Sequence, residues 1–348
     1  MSPPNHIVQA FVNLGDYLTE FCENRNTKDH PAHASLEEAV QKAGHQNGWF
    51  TEDNVLHCLH HWGQLLQASK IDSWLGSYSI DSSKTPKIIG VVMAGNIPLV
   101  GFHDFISVLL SGNSVQAKLS SNDTVLLPFL SNYLIGVEPR LKERINFVEG
   151  RFGHFDAVIA TGSNNTSRYF EHYFGKKPNI IRKNRNAVAV LSGEESSEEL
   201  IALGEDIFRY YGLGCRNVSK IFVPQNYNFD VLFTALFNYK DIVNQNKYAN
   251  NYDYNKAVYL MSAFKILDNG FIVLKEDSGF ASPIASLFYE YYDSKDSIKQ
   301  HLQSKKEDIQ CVVSKGFITN EISFGETQKP RLHDYADGVD TLGFLISL

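Results

Sequence analysis

Cysteine is scarce in this sequence, and long apolar runs are missing from it. The four cysteines (Cys22, Cys58, Cys215 and Cys311) are widely separated and form no CxxC pair, so neither a zinc site nor a disulfide framework is predicted. No apolar stretch approaches the roughly 20 residues needed to span a bilayer, and "MSPPNHIVQAF" lacks the basic region and apolar run of a secretion signal. We therefore predict a cytoplasmic protein that is neither exported nor inserted into a membrane.

Basic blocks are also missing. The net charge is −7, and no local cluster of Lys and Arg offsets it, which argues against nucleic acid or an anionic membrane as the partner. The chain has 348 residues, of which 43% are hydrophobic, and this is enough for two domains with real cores. These features favour a small-molecule partner.

A metal site is not predicted either. His57 and His61 are one helical turn apart in "HCLHHW", and such a pair can hold zinc. Two histidines alone are too thin a ligand set for a metal ion.

The first 85 residues predict helices. Apolar residues recur at helical spacing in "HIVQAFVNLGDYLTEFCENR", "SLEEAVQKAGHQ" and "TEDNVLHCLHHWGQLLQASKIDSWLGSY". Ser35 and Thr51 are placed to cap the second and third of these helices. The polar, proline-containing "SIDSSKTPK" then indicates a linker.

From residue 86 onward, strands alternate with helices. Strands are predicted in "KIIGVVMAGN", "SVQAKLS", "RINFVEG" and "FDAVIATGS", and helices in "IPLVGFHDFISVLLSG" and "DTVLLPFLSNYLIGV". A second α/β unit begins with "NAVAVLS", continues through "EELIALGEDIFRYY" and reaches "SKIFVP". This alternation predicts parallel doubly wound sheets, whose ligand sites lie at the carboxyl ends of the strands.

One cysteine stands out by its setting. In "RYYGLGCRNVSKIFVP", Cys215 follows Gly212 and Gly214 and precedes an apolar strand. Glycines allow unusual backbone dihedral angles, so this hinge can display a thiol nucleophile. The plainer alternative is a buried, unreactive cysteine, which is the role we assign to the three other cysteines.

Four short motifs together resemble a known family. "AGNIPL", "QAKLSS", "ATGSNN" and "GLGCRN" occur in the order found in the aldehyde dehydrogenase superfamily, and in particular in its LuxC-type fatty acyl-CoA reductases. The resemblance covers roughly residues 85 to 225. It implies an aldehyde-dehydrogenase-like α/β fold, with two doubly wound domains, a cleft between them and a helical N-terminal segment.

The resemblance also implies a domain division. Residues 1–85 would be the helical segment packed on the cofactor domain, residues 86–187 the Rossmann-like nicotinamide-binding domain, and residues 188–320 the catalytic domain. Residues 321–348 would be a tail that returns to the cofactor domain or to a dimer interface. A homodimer is one arrangement that the resemblance leaves open.

Two residues match the catalytic positions of the family. Cys215 matches the nucleophile, whose thiolate forms a thioester with the acyl group. Asn96 matches the asparagine whose amide N–H helps to stabilise the oxyanion, although an asparagine here can also simply end a strand.

Five residues match the cofactor-binding positions. Lys118 matches the lysine that reaches the adenosine ribose, and Ser120 follows it; the first carboxylate after this strand is Asp123. Without an acid at the strand end to repel a 2′-phosphate, NADPH is the expected cofactor. Thr161, Gly162 and Ser163 match the turn that admits the pyrophosphate to a helix N-terminus, a pattern equally suited to plain N-capping.

One departure from the hydrolytic members is informative. They carry a glutamate base in an "ELGG" motif, where this chain reads "NIIRKNRNAV" without any acid. Transfer of an acyl group to or from coenzyme A needs no such base. We therefore expect an NADPH-dependent acyl-CoA reductase that forms an aldehyde. The alternatives are an acyl-phosphate reductase of the same superfamily and a catalytically silent scaffold or binding protein with this fold.

Overall fold

The computed structural model describes residues 5–24, 31–81 and 83–348. The chain divides into two compact units: the first is Met1–Lys183 together with Arg331–Leu348, and the second is Asn184–Pro330. Three expectations fall partly outside the described residues: the absence of a secretion signal concerns residues 1–4, the first predicted helix extends to Arg25, and the predicted linker includes Ser82.

A parallel sheet forms the centre of the first unit. Its strands are Ile88–Val92 (β1), Ser114–Lys118 (β2), Ile145–Phe147 (β3), Ala157–Thr161 (β4) and Asn179–Arg182 (β5). They lie in the order β3-β2-β1-β4-β5, and every neighbouring pair is parallel. The predicted strands β1 to β4 are confirmed. The sequence pattern does not predict β5, because only two isoleucines stand between polar residues there.

Helices surround this sheet. In chain order they are Asn5–Glu23 (α1), Pro31–Gln46 (α2), Glu52–Leu65 (α3), Ala68–Leu75 (α4), Phe102–Leu110 (α5), Leu126–Val137 (α6) and Asn164–Phe174 (α7). The helical character predicted for the first 85 residues is confirmed. Ser35 as an N-cap is wrong, since it lies inside α2, and Thr51 precedes α3 without a side-chain capping bond.

The single helix predicted over residues 51–78 is two helices. The chain turns between α3 and α4 at Leu66, which is fully buried against Gly15 of α1; a Cβ added to Gly15 would lie 2.8 Å from the Leu66 Cβ. Further along the same contact, Gly63 lies close to Thr19 of α1. The helical periodicity continues through this turn, so the sequence alone does not reveal it.

Buried polar contacts hold the returning C-terminal segment on α5. The Arg182 guanidinium donates to both Asp104 carboxylate oxygens and to the Thr341 hydroxyl, at 2.8 Å and 2.9 Å for its Nη2. The neighbouring His103 lies with its Nε2 2.8 Å from the Leu332 carbonyl oxygen, and burial lowers the pKa of its ring. The last helix, Thr341–Ser347 (α12), therefore belongs to the first unit.

The second unit has a six-stranded sheet. Its strands are Asn186–Val190 (β6), Val218–Pro224 (β7), Ile266–Asp268 (β8), Val273–Glu276 (β9), Ser286–Tyr292 (β10) and Ile309–Val313 (β11). Their order is β11-β6-β7-β10-β9-β8, and only the β8 and β9 pair is antiparallel. The helices are Ser197–Phe208 (α8), Phe229–Leu236 (α9), Asn246–Met261 (α10) and Lys295–Ser304 (α11). Across the described parts of the chain, none of the helices combines the length and the apolar character needed to cross a membrane.

Candidate functional site

The carboxyl edge of the first sheet gathers the residues predicted there. Asn96 lies in the loop after β1, Lys118 ends β2 with Ser120 just beyond it, and Thr161 ends β4. Val92 of β1 pairs with Lys118 on one side and with Ala160 on the other. Since β1 is the strand at which the order reverses, this edge is where a doubly wound sheet binds its ligand.

The loops after β1 and β2 approach each other closely. Gly95 is buried, and a Cβ added to it would lie 2.6 Å from both Cβ and Oγ of Ser120. Only glycine fits this position without displacing the second loop. Asn96, the next residue, is exposed to solvent at the sheet edge.

Lys118 is a half-exposed cation on this edge. Within the residues that the structure describes, its ammonium takes part in no hydrogen bond or ion pair. The Oγ of Ser120 accepts the Asn122 backbone N–H at 3.3 Å. Asp123 is buried and accepts the Leu99 backbone N–H at 3.0 Å. The first acid after β2 is therefore turned toward the protein interior.

The turn after β4 is a tight helix start. Ser163 is the N-cap of α7, and its Oγ accepts the Thr166 backbone N–H at 3.3 Å. A Cβ added to Gly162 would lie 3.0 Å from the Phe170 ring and 3.1 Å from Thr166. The N-capping contact of the plainer alternative for Ser163 is thus present, and the turn leaves the α7 N-terminus at the same edge as Lys118.

Cys215 lies in the second unit, at the amino end of β7. It is half-buried and follows a 3-10 helix, Arg209–Gly212, that contains an unusual backbone. Tyr210, Tyr211 and Gly212 have φ angles of 55°, 58° and 76°. Successive left-handed residues are unfavourable for tyrosine, so the surrounding structure must hold this turn in place.

Asn217 holds that turn. Its side chain is 1% exposed, its Oδ1 accepts the Gly214 backbone N–H at 2.8 Å, and its Nδ2 donates to the Arg209 and Asp206 carbonyl oxygens at 2.7 Å and 3.1 Å. The amide thus spans the bend that presents Cys215. This residue was not predicted from the sequence, although an asparagine two positions after a Gly-framed cysteine is suited to such bonding.

We expect Asn217→Ala to destabilise the second unit and change the reactivity of the thiol. Buried backbone groups left unpaired cost about 1–3 kcal/mol each, so the free energy of unfolding should fall by about 2–4 kcal/mol. Urea denaturation measures the fall, and the rate of iodoacetamide labelling reports on the thiol. Asn250→Ala, at an exposed position of the helix Asn246–Met261, is the control. Equal stability of both variants would show that the bonds do not hold the turn.

Arg216, next to Cys215 in the chain, makes a defined contact with the segment around Thr327. Its Nε donates to the Thr327 carbonyl oxygen at 2.5 Å. Thr327 is in turn fixed by Asp206, whose buried carboxylate accepts the Thr327 backbone N–H at 2.9 Å and the Gly325 N–H at 2.7 Å. Burial raises the pKa of Asp206 to about 6. Arg216 is therefore a support of the turn rather than a solvent-exposed side chain.

Since no acid occurs between Pro178 and Val188, hydrolysis would need a base from elsewhere in the chain, and Glu276 is poorly placed to be that base at Cys215. It ends β9 and pairs with Tyr289 of β10, which pairs with Ile221 inside β7. At about 4.8 Å between strands and 3.3 Å per residue, Glu276 lies two strands aside from β7 and well past its amino end. The structure therefore gives this glutamate no role as a base at the thiol.

Metal ligands do not cluster in the described ranges. There, no three His, Cys, Asp or Glu side chains come together in a way that could hold a metal ion.

Comparisons with known proteins bear on the family and the fold. The family model "Acyl-CoA reductase (LuxC)" matches residues 4–236, whereas a search of curated proteins finds no match. Among solved structures, an indole-3-acetaldehyde dehydrogenase with NAD+ is 12% identical with a TM-score of 0.64, covering 88% of this chain and 72% of its own. The AldC aldehyde dehydrogenase of Pseudomonas syringae, with NAD+ and octanal, is 11% identical with a TM-score of 0.63, covering 91% and 73%. These likenesses show the predicted aldehyde-dehydrogenase-like α/β fold.

Proposed function

Because the chain belongs to the LuxC family of acyl-CoA reductases, and is thus an oxidoreductase that acts on aldehydes or acyl-CoA, we propose that it reduces a fatty acyl-CoA to an aldehyde with NADPH. The observation that carries the proposal is Cys215, presented at the amino end of β7 by a turn that Asn217 braces. The two left-handed tyrosines before it add support, because strained backbone of this kind clusters at active sites.

The chemistry of this thiol accounts for the first half of the reaction. The Cys215 thiolate attacks the carbonyl carbon of the acyl-CoA, a new C–S bond forms, and the C–S bond to coenzyme A breaks as the CoA thiolate leaves. Negative charge develops on the carbonyl oxygen during the attack. We assign its stabilisation to the Asn96 side-chain amide and the Cys215 backbone N–H.

The second half returns the thiol to its starting state. NADPH, when bound, supplies the hydride that reduces the acyl carbon. Cys215 then leaves as a thiolate, which is a good leaving group, and the aldehyde is released. The protein's own part in this step is to hold the acyl group as an activated thioester and to accept the electron pair of the broken C–S bond.

Residues at the carboxyl edge of the first sheet fit this cofactor. A Cβ at Gly162 would lie 3.0 Å from the Phe170 ring and 3.1 Å from Thr166, so the glycine keeps this turn close to α7, whose N-terminal backbone N–H groups favour an anion such as a pyrophosphate. Lys118 offers a cation at the end of β2. Asp123, the first acid after that strand, is turned inward. A 2′-phosphate beside Lys118 and Ser120 would therefore meet no carboxylate from this loop.

We expect Lys118→Ala to weaken the binding of both nucleotides and of NADPH more than NADH. A hydrogen bond between charged groups is worth roughly twice a neutral one, so the NADPH affinity should fall by about tenfold or more. Titration by nucleotide fluorescence measures both constants. Lys87→Ala is the control, because Lys87 precedes β1 at the opposite edge of the same sheet. A wild-type preference for NADH that Lys118→Ala leaves unchanged would contradict the cofactor assignment.

The function itself is tested by following the leaving group. With acyl-CoA and NADPH, the protein should release one thiol for each NADPH oxidised; with an acyl phosphate it should release little phosphate. The reverse result would identify an acyl-phosphate reductase. A silent scaffold would release neither, and iodoacetamide would label Cys215 no faster than an ordinary thiol.

A further inference from the structure

The loop between β1 and α5 contains a strained residue. Leu99 is 3% exposed and has a φ angle of 55°, in the left-handed region that L-residues with a Cβ rarely occupy. Its carbonyl oxygen accepts the Phe102 N–H at 2.9 Å, so the bend leads directly into α5. The helix predicted from Ile97 begins only at Phe102 for this reason. Such a conformation persists only where the surroundings impose it.

Asp123 supplies the contact that imposes it. Its Oδ2 accepts the Leu99 backbone N–H at 3.0 Å, inside the protein. The other oxygen, Oδ1, is buried and has no hydrogen-bond partner among the described residues. Burial raises the pKa of this carboxyl to about 6. The fold thus keeps a poorly solvated acid next to the loop that carries Asn96.

Two further contacts hold the same loop in place. Gly95 lies against Ser120, which belongs to the loop that also carries Asp123. The Cys58 thiol lies 3.3 Å from the Pro98 carbonyl oxygen, which accepts its S–H. Asn96 therefore lies between Gly95 and Pro98, both of which have defined neighbours, and Leu99 is the strained position that ends this stretch. A charged acceptor binds a backbone N–H more strongly than a neutral one, which suits a strained site.

We propose that Asp123 is a positioning residue, which fixes Leu99 in its left-handed conformation and thereby sets the direction of the Asn96 side-chain amide. The proposal rests on the proposed role of Asn96 as a donor to the oxyanion. Asp123 touches neither substrate nor cofactor in this account. It acts through the backbone of the loop.

A double-mutant cycle on the first chemical step tests the proposal. The single-turnover rate of Cys215 acylation is measured for wild type, Asn96→Ala, Asp123→Ala, Asp123→Asn and the double alanine variant. Loss of an oxyanion donor lowers the rate by about 10²–10³, and misplacement of such a group by about 1 Å lowers it by about 10². We expect Asp123→Asn, which keeps an acceptor for the Leu99 N–H, to stay within a few fold of wild type.

The coupling between the two sites decides the outcome. If Asp123 acts through Asn96, the double variant should be no slower than Asn96→Ala alone, because a donor that is absent cannot be misplaced. Losses that multiply would overturn the proposal while leaving the role of Asn96 intact. A wild-type rate in Asn96→Ala would instead refute the oxyanion role, and the positioning role with it.

NADPH affinity serves as the check on folding of the first unit, because every variant except a misfolded one should retain it. Should Asp123→Ala fail this check, Asp123→Ser takes its place: serine keeps a polar side chain but is too short to reach the Leu99 N–H. Hydrogen exchange at the Leu99 amide gives a readout that does not depend on activity. It should quicken in the serine variant and not in Asp123→Asn; equal protection in both would overturn the proposal.

Discussion

Cys215→Ala should abolish the acyl-enzyme while leaving NADPH binding nearly unchanged. The thiol makes the covalent bond to the acyl group, whereas the residues assigned to the nucleotide lie on the sheet edge of the first unit. Removal of a nucleophile from a well-studied hydrolase lowers the rate by about 10⁶, and we expect a loss of similar size. Labelled acyl-CoA followed by intact-mass measurement detects the adduct directly.

The chain provides a matched control for this experiment. Cys311 is also a half-buried cysteine of the second unit, but it lies within β11 rather than on a turn. Cys311→Ala should acylate at the wild-type rate. An acyl adduct that persists in Cys215→Ala and disappears in Cys311→Ala would transfer the role of nucleophile to the strand residue.

Much of the fold could be predicted because its signals are local. The apolar, β-branched runs of β1 and β4 and the shorter alternation of β2 are separated by helical patterns, and parallel sheets follow from that order of elements. The four-residue strand β5 could not be predicted from the sequence, since strands and loops have overlapping compositions at that length. The break at Leu66 depends on Gly15 of α1, a contact between distant positions that no local pattern records.

The residues of the candidate site divide in the same way. The glycines and the cysteine of "GLGCRN" predict the turn before β7 from the sequence alone. Gly162 and Ser163 likewise predict the start of α7. What the sequence conceals is how these turns are held. Asn217 joins backbone groups on both sides of the turn, and Asp123 reaches a loop that precedes it by more than twenty residues. Such supporting residues are found only when the loops are placed in three dimensions.

The acyl-enzyme at Cys215 should transfer its acyl group to coenzyme A much faster than to water. No acid occurs between Pro178 and Val188, which is the segment that matches the glutamate base of hydrolytic aldehyde dehydrogenases. Glu276, the other acid considered, lies two strands away from β7. General-base catalysis contributes about 10²–10⁴ to the attack of water, so discharge by CoA should exceed hydrolysis by at least about 10². A thiolate needs no neighbouring carboxylate to remove its proton.

The measurement starts from aldehyde and NADP⁺, with and without coenzyme A. Acyl-CoA should be the main product when CoA is present, and turnover should nearly stop after one equivalent when it is absent, because the thioester then has no fast acceptor. Glu276→Gln should change neither result, given the position of this residue at the carboxyl end of β9. If wild type instead forms free acid at the same rate with and without CoA, another residue acts as the base for water. The missing glutamate before β6 then does not make hydrolysis slow. Loss of that hydrolysis in Glu276→Gln would further mean that β9 reaches the thiol in a conformation other than the one described.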